Sequence, residues 1–332
     1  VSEKKYNVFG VGNALVDTLA QVQDQLVTDL SLNKGGMALM DAENQAGVLS
    51  NLEQQSLQLA SGGSAANTMI AIAQSGGSGV YCGKVASDPN GEFYKKDMEE
   101  AGILFPVAAA PAEALPTGTC VVLTTPDAER TMCTHLGVST TLQKSDLDLD
   151  LLAQSQCSYI EGYLWDAEAP RAACVEALEQ SNKLGVKAAF TFSDAFLLGR
   201  YADDFRRIVN DYCDIVFCNA DEAKQFFGSD DLQHCIAEMA KISNSAFITD
   251  GAAGCHVVEN GQTSLVEGFD VKAIDTNGAG DAFAGATLFG LTNGLSATQS
   301  AKWGNYFASR VVEKIGARID VDMKDKVSSI VG

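Results

Sequence analysis

The run Asp275-Thr-Asn-Gly-Ala-Gly-Asp281-Ala-Phe-Ala-Gly285 has the make-up of an anion-binding turn. A strand is expected over Val271–Ile274, and a helix is expected to start at about Asp281. The small residues Gly278, Ala279 and Gly280 leave successive N–H groups unshielded at the positive end of that helix. Such a cradle holds a phosphoryl group, or the charge that develops while one is transferred. Asp281 falls in the first helical turn beside the same spot. A carboxylate there can take the proton of an attacking hydroxyl, or it can do no more than cap the helix.

Two further segments carry chemistry. In Ser61-Gly-Gly-Ser-Ala-Ala-Asn67-Thr68 a glycine pair runs into a helix with apolar residues at 65, 66, 69, 70 and 73. Close backbone approach at Gly62 and Gly63, with the amide of Asn67 one turn further on, suits a polyhydroxyl ligand. A plain glycine turn with Ser64 as N-cap is the simpler alternative. Gly10-Val-Gly12-Asn-Ala-Leu-Val-Asp17 has two glycines of a dinucleotide fingerprint but neither the third nor the acid about 20 residues on. A dinucleotide cofactor is therefore excluded. Asp17, expected just after a strand end, can accept two hydrogen bonds from vicinal hydroxyls.

These residues need a frame. Strands are expected over 79–85, 187–193, 214–218 and 246–249, and helices over 92–101, 169–184, 221–227, 232–241, from 281 and over about 297–314. Strand–helix alternation predicts a mostly parallel sheet with helices on both faces. Two stretches depart from it. Residues 14–40 read as extended segments without a helical period. Between 117 and 136 two alternating runs flank Pro126-Asp-Ala-Glu129, a hairpin turn. Together they predict a small extra sheet, a lid over one α/β domain spanning 1–332, formed from about 14–40 and about 105–136.

Composition limits the partners. Of 332 residues, 23 are Lys or Arg and 43 are Asp or Glu, a net charge of −20 without a basic cluster. Nucleic acid is not expected as a partner. No apolar run approaches the roughly 20 residues of a membrane span, and Val1-Ser-Glu-Lys-Lys-Tyr-Asn lacks the apolar core of a secretion signal. Nine scattered cysteines without a C-x-x-C pair read as small apolar residues in a reducing cytoplasm. Three histidines give no zinc spacing.

The Gly-Gly segment leading to Asn67, Asn219-Ala-Asp-Glu222 and the Asp275–Asp281 turn, in that order, resemble the ribokinase (PfkB) carbohydrate-kinase family over about residues 6–320. The resemblance implies a ribokinase-like α/β fold with a β-sheet lid. It also implies transfer of the ATP γ-phosphoryl, with Mg2+, to a primary hydroxyl. Asp281 then takes the place of the catalytic base, Gly278–Gly280 that of the anion hole, and Arg130 that of a basic lid residue reaching the transferred phosphate. Asn219 and Glu222 match the element that organises Mg2+, mainly through water. Thr249, Gly251 and Gly254 fall beside the ATP phosphates, and Gly304, Asn305 and Ala308 on the helix walling the adenine. Asp17, Gly62, Gly63 and Asn67 match the acceptor grip. Asp275 and Asn277 lie where some members use a monovalent cation such as K+.

The layout is most similar to the adenosine-kinase-like subgroup. Gly12-Asn-Ala-Leu-Val-Asp17 resembles its opening segment, Tyr159–Leu164 and Ser193–Phe196 its nucleobase-contacting segments. Tyr163 and Phe196 are then candidate stacking residues, or ordinary core residues. Glu161 stands where an apolar residue is expected and His135 where an amide is expected. Both leave a plain sugar open as the acceptor. An exposed lid-sheet edge of the kind that pairs with a second copy in some relatives leaves the chain as monomer or homodimer.

Overall fold

A computed structural model describes residues 4–52, 55–111 and 113–332. Val1–Glu3, which begin the segment read above as lacking a secretion signal, lie outside the described residues.

The chain starts with β1 (Tyr6–Val11) and then crosses to a second sheet through β2 (Leu15–Gln21), α1 (Asp24–Asp29), β3 (Met37–Leu39), α2 (Ala42–Ser50) and β4 (Gln58–Gly62). It returns by α3 (Ser64–Gln74), β5 (Gly79–Cys82), α4 (Pro89–Glu100) and β6 (Ile103–Leu104). The hairpin β7 (Gly118–Thr124) and β8 (Arg130–His135) completes the second sheet. There follow α5 (Leu149–Ala153), β9 (Ser155–Glu161), α6 (Glu168–Leu184), β10 (Lys187–Thr191), α7 (Ala195–Asp211), β11 (Ile215–Asn219), α8 (Ala220–Phe227), α9 (Leu232–Ile242) and β12 (Ser245–Thr249). The antiparallel pair β13 (Gly254–Glu259) and β14 (Gln262–Glu267) precedes α10 (Ala279–Thr292), α11 (Ala297–Val311) and α12 (Val327–Val331).

The main sheet runs β14-β13-β12-β11-β10-β9-β1-β5-β6 and is parallel except at β12–β13 and β13–β14. Both its faces are covered, so its strands carry near-continuous apolar residues. Phe9, Val11, Ile160, Phe190 and Val216 pack on the face under α6 to α9, while Val8, Tyr159, Phe217 and Phe247 pack against α3 and α10. From β1 the chain winds one way through β5 and the other way through β9 to β12. The strand ends beside β1 are therefore a topological switch point, where open α/β sheets place ligands.

The second sheet runs β3-β8-β7-β2-β4. The period of two divides its faces: Val121, Leu123 and Cys133 pack with Val27, Val48 and Leu52 behind it, while Leu15, Leu19, Cys120 and Val122 face the other way with Met132 and Leu136.

Four expectations change. Residues 14–40 hold a helix, α1, as well as strands, and the second sheet also takes Gln58–Gly62. Residues 105–117 add no strand to it; the short β6 before them joins the main sheet. Asp17 lies within β2, not beyond a strand end. Val271–Ile274 forms no strand; it passes the end of α11, where Ile274 N–H donates to Val312 O at 2.7 Å. Among the described residues no helix is long and apolar enough to cross a membrane.

Candidate active site

The carboxyl ends of β1, β9, β10, β11 and β12 present Asn13, Glu161, Thr191, Asn219 and Thr249 to one cavity of about 360 Å³. The second sheet roofs it with Leu15, Asp17, Leu39, Val122, Arg130, Met132 and Leu136. The Gly63–Asn67 and Thr276–Asp281 segments close it. The size is that of a small-molecule site.

Local geometry explains how the two glycine turns fit. Gly63 is the N-cap of α3 at φ +97°, and a Cβ there would stand 2.1 Å from the carbonyl oxygen of Asn13. Only glycine brings the chain this close with that φ. Ser64 is consequently not the cap but the first helical residue. Its hydroxyl donates to Asp281 Oδ1 at 2.6 Å, and Asn67 Nδ2 donates to Asp281 Oδ2 at 3.1 Å. Gly278 caps α10 at φ +70°. The N–H of Ala279 is spent on Thr276 O at 3.3 Å, whereas those of Gly278, Gly280 and Asp281 have no acceptor among the described residues. Asp275 organises the turn: Oδ1 accepts from Asn277 N–H at 2.9 Å and Oδ2 from Gly316 N–H at 2.8 Å.

Of the five carboxyls that line this space, Asp17, Glu161, Glu222 and Asp281 are pushed upward, burial being the main cause in each. For Asp281 the bonds from Ser64 and Asn67 and the charges of Arg130 and Arg318 oppose that rise. Asp17 reaches about 7 against the opposing charge of Arg318, with Asp281 adding to the rise. Glu161 reaches about 7 although it accepts from Asn13 N–H at 2.7 Å, Asn13 Nδ2 at 2.9 Å and Ala65 N–H at 2.7 Å. Glu222 reaches about 8; it closes a capping box with Asn219 at the start of α8. Such upward shifts fit groups that exchange protons near neutral pH. Among the described residues no three His, Cys, Asp or Glu gather to hold a metal directly. One carboxylate facing the cavity, Glu222, still fits magnesium, which keeps most of its waters.

The model of the pfkB family of carbohydrate kinases matches residues 27–324. The chain belongs to this family. The structure resembles adenosine kinase from Sinorhizobium meliloti at TM-score 0.93 and 34% identity, over 98% of this chain and 99% of that one. It also resembles a probable sugar kinase from Rhizobium etli CFN 42 at TM-score 0.93 and 31% identity, over 98% of each. Adenosine kinase of Saccharomyces cerevisiae is 27% identical over 92% of this chain and 94% of its own. This PfkB protein is thus an ATP-dependent phosphotransferase acting on a nucleoside or a sugar.

Within the PfkB cavity lie Asp17, Gly63, Asn67, Arg130, Tyr163, Asn219, Glu222, Thr249, Gly251, Gly278, Ala279, Gly280 and Asp281. Other residues read from the sequence fall outside it. His135 alternates with the lining residues Met132, Thr134 and Leu136 and so faces the opposite side of β8. Phe196 stands behind Tyr163, ring centroids 6.3 Å apart, with the Arg200 guanidinium 5.6 Å from its ring. Gly62 is a spacer: a Cβ there would meet the Asp17 carboxyl at 2.2 Å. Gly254 opens β13 against Val266 O, and Gly304 lets α11 approach Thr287 and Phe283 of α10. Asn305 spends its amide on Val266 O and Glu267 O at 2.9 and 3.1 Å. Ala308 packs on the aromatic core. Sequence reasoning missed Ser64 as a partner of Asp281, and Arg318, which belongs to no motif.

Proposed function

We propose that this PfkB kinase phosphorylates the primary hydroxyl of a nucleoside, adenosine first, with Asp281 as general base. The observation that carries the reading is the Asp281 carboxyl, lodged in the first turn of α10 beside unspent N–H groups and held by Ser64 and Asn67. A base raised toward neutrality accepts the hydroxyl proton more readily than a surface aspartate does. The N–H groups of Gly278, Gly280 and Asp281 lie where the transferred phosphoryl bears charge, and Arg130, anchored to Thr276 Oγ1 at 3.1 Å, adds a cation on the lid side. Glu222 with Asn219 would hold the hydrated magnesium that accompanies ATP and neutralises its phosphates. Thr249 and Gly251 belong to the ATP side. Closure of the second sheet as a lid would keep water from competing with the acceptor.

The nucleoside preference rests on the cavity's asymmetry. Leu15, Leu39, Val122, Met132 and Leu136 with Tyr163 form an apolar envelope suited to a flat base, and Asp17 and Asn67 a polar side suited to ribose hydroxyls. Glu161 favours a second reading, a plain sugar, because it sets a buried acid at the floor of the same cavity. ADP release from ATP·Mg2+ is to be measured with adenosine, inosine, guanosine, cytidine, ribose, fructose and 2-keto-3-deoxygluconate. Adenosine well above ribose supports the nucleoside reading; turnover with free sugars alone replaces it by the second.

A further inference from the structure

Beyond the residues assigned above, one largely covered guanidinium touches the site from behind. Arg318 follows α11 in a loop whose Gly316 N–H already binds Asp275, and whose Ala317 stands against the Gly278 turn. Its Nε donates to Asn67 Oδ1 at 3.0 Å. Its Nη1 donates to Asp97 Oδ2 and to Ser61 Oγ, each at 2.9 Å. Ser61 also donates its hydroxyl to Asp97, and its N–H to the same oxygen at 3.1 Å.

An amide has one accepting and one donating end, and a guanidinium can only donate. We propose that Arg318 is a positioning residue for phosphoryl transfer. By holding Asn67 Oδ1 it turns the Asn67 NH2 toward Asp281, and through Ser61 it fixes the strand end that leads into Gly62 and Gly63. Without it the amide is free to flip, and its oxygen would then face the Asp281 carboxylate. The charges around Arg318 are Asp97 of α4, Asp17 of β2 and Asp281 of α10, with the buried Tyr94 phenol of α4 also within its field. Burial drives both Asp17 and Asp281 up, and Arg318 opposes that rise in each. A simple structural ion pair with Asp97 would serve neither carboxyl through Asn67.

This inference rests on Asp281 being the base, so Asp281→Asn is measured alongside. The assay is ADP release from ATP·Mg2+ with whichever acceptor of the panel above turns over. Arg318→Met is expected to lower kcat by about tenfold or more, the size of a lost charge-assisted hydrogen bond, with the KM for ATP within about twofold. The acidic limb of its pH–rate profile should move to higher pH. Arg318→Lys should return the limb but only part of kcat, because an ammonium lacks the planar fork. In a double-mutant cycle Asn67→Ala should mask Arg318→Met. Carboxyl 13C titration of the ligand-free protein, in which the Asp281 signal should move up in Arg318→Met, reads the same coupling without acceptor. Additive effects in the cycle, or an Asp281 titration and a pH limb unmoved in the folded variant, overturn the role of Arg318. Full turnover in Asp281→Asn overturns the base reading instead, so the two failures are distinct.

Discussion

The two sides of the cavity are built by different rules. On the main-sheet side, parallel strands deliver Asn13, Glu161, Asn219 and Thr249 at their carboxyl ends, and the starts of α3 and α10 add Ser64, Asn67 and Asp281. Every one of these is polar and tied to a rigid element. The facing sheet offers mainly apolar side chains, with Asp17, Arg130 and Thr134 as the polar exceptions. In our reading the first side holds the chemistry, while the second, joined by Tyr163 just beyond the end of β9, holds the choice of acceptor, so substitutions in the two sets should fail in different ways.

The largest effect belongs to the chemical side. Asp281→Asn should reduce kcat by about 10³-fold, within the usual range for a lost general base, while urea denaturation finds the fold intact. A smaller and more selective effect belongs to the acceptor side. Tyr163→Ala should raise the KM for a nucleoside by about tenfold, the worth of one aromatic contact, and leave that for ribose nearly unchanged. An equal rise for both would remove the base-stacking role.

Asp17 tests the boundary between the sides. Its carboxyl titrates near 7 when folded against an ordinary value of 3.8, burial being the cause. A raised acid costs nothing below about pH 4, where it is protonated in both states, and progressively more between about 4 and 7. Asp17→Asn should therefore raise the unfolding free energy of the ligand-free protein by about 1–3 kcal/mol at pH 8. At pH 4 it should change nothing. The same variant should bind its acceptor less well. Equal thermal midpoints at pH 8 would mean that Asp17 stays ionised at little cost.

Much of this was legible in the sequence because it is local. Strand–helix alternation announces the main sheet, and the glycine turns announce where two helices meet the cavity, since turn, cap and first-turn residue are neighbours in the chain. The facing sheet was only half legible. Its strand Gln58–Gly62 carries little β-branched signal and pairs with β2 across a helical excursion. A period of two explains why Arg130, Met132 and Thr134 reach the cavity and His135 does not, but the face that turns inward is set by tertiary docking. The ring of Phe196 backs Tyr163 for the same reason. Arg318 had no signal at all: its partners Ser61, Asn67 and Asp97 are distant in the chain and join it only when the loop after α11 folds back.

The central place of β1 has a consequence for how the protein is made. Tyr6–Val11 is made well before its partners: its neighbour β9 pairs Tyr6 with Ser155, and α10 packs on α3 later still. Pairings this distant close slowly. During synthesis the main sheet therefore stays open on one side of β1 until Ser155–Glu161 has left the ribosome. The Asp281 carboxyl joins Ser64 and Asn67 after that. A nascent chain stalled before α10 should carry no kinase activity, and one stalled before β9 keeps a bare β1 edge, the stage at which a chaperone is needed most.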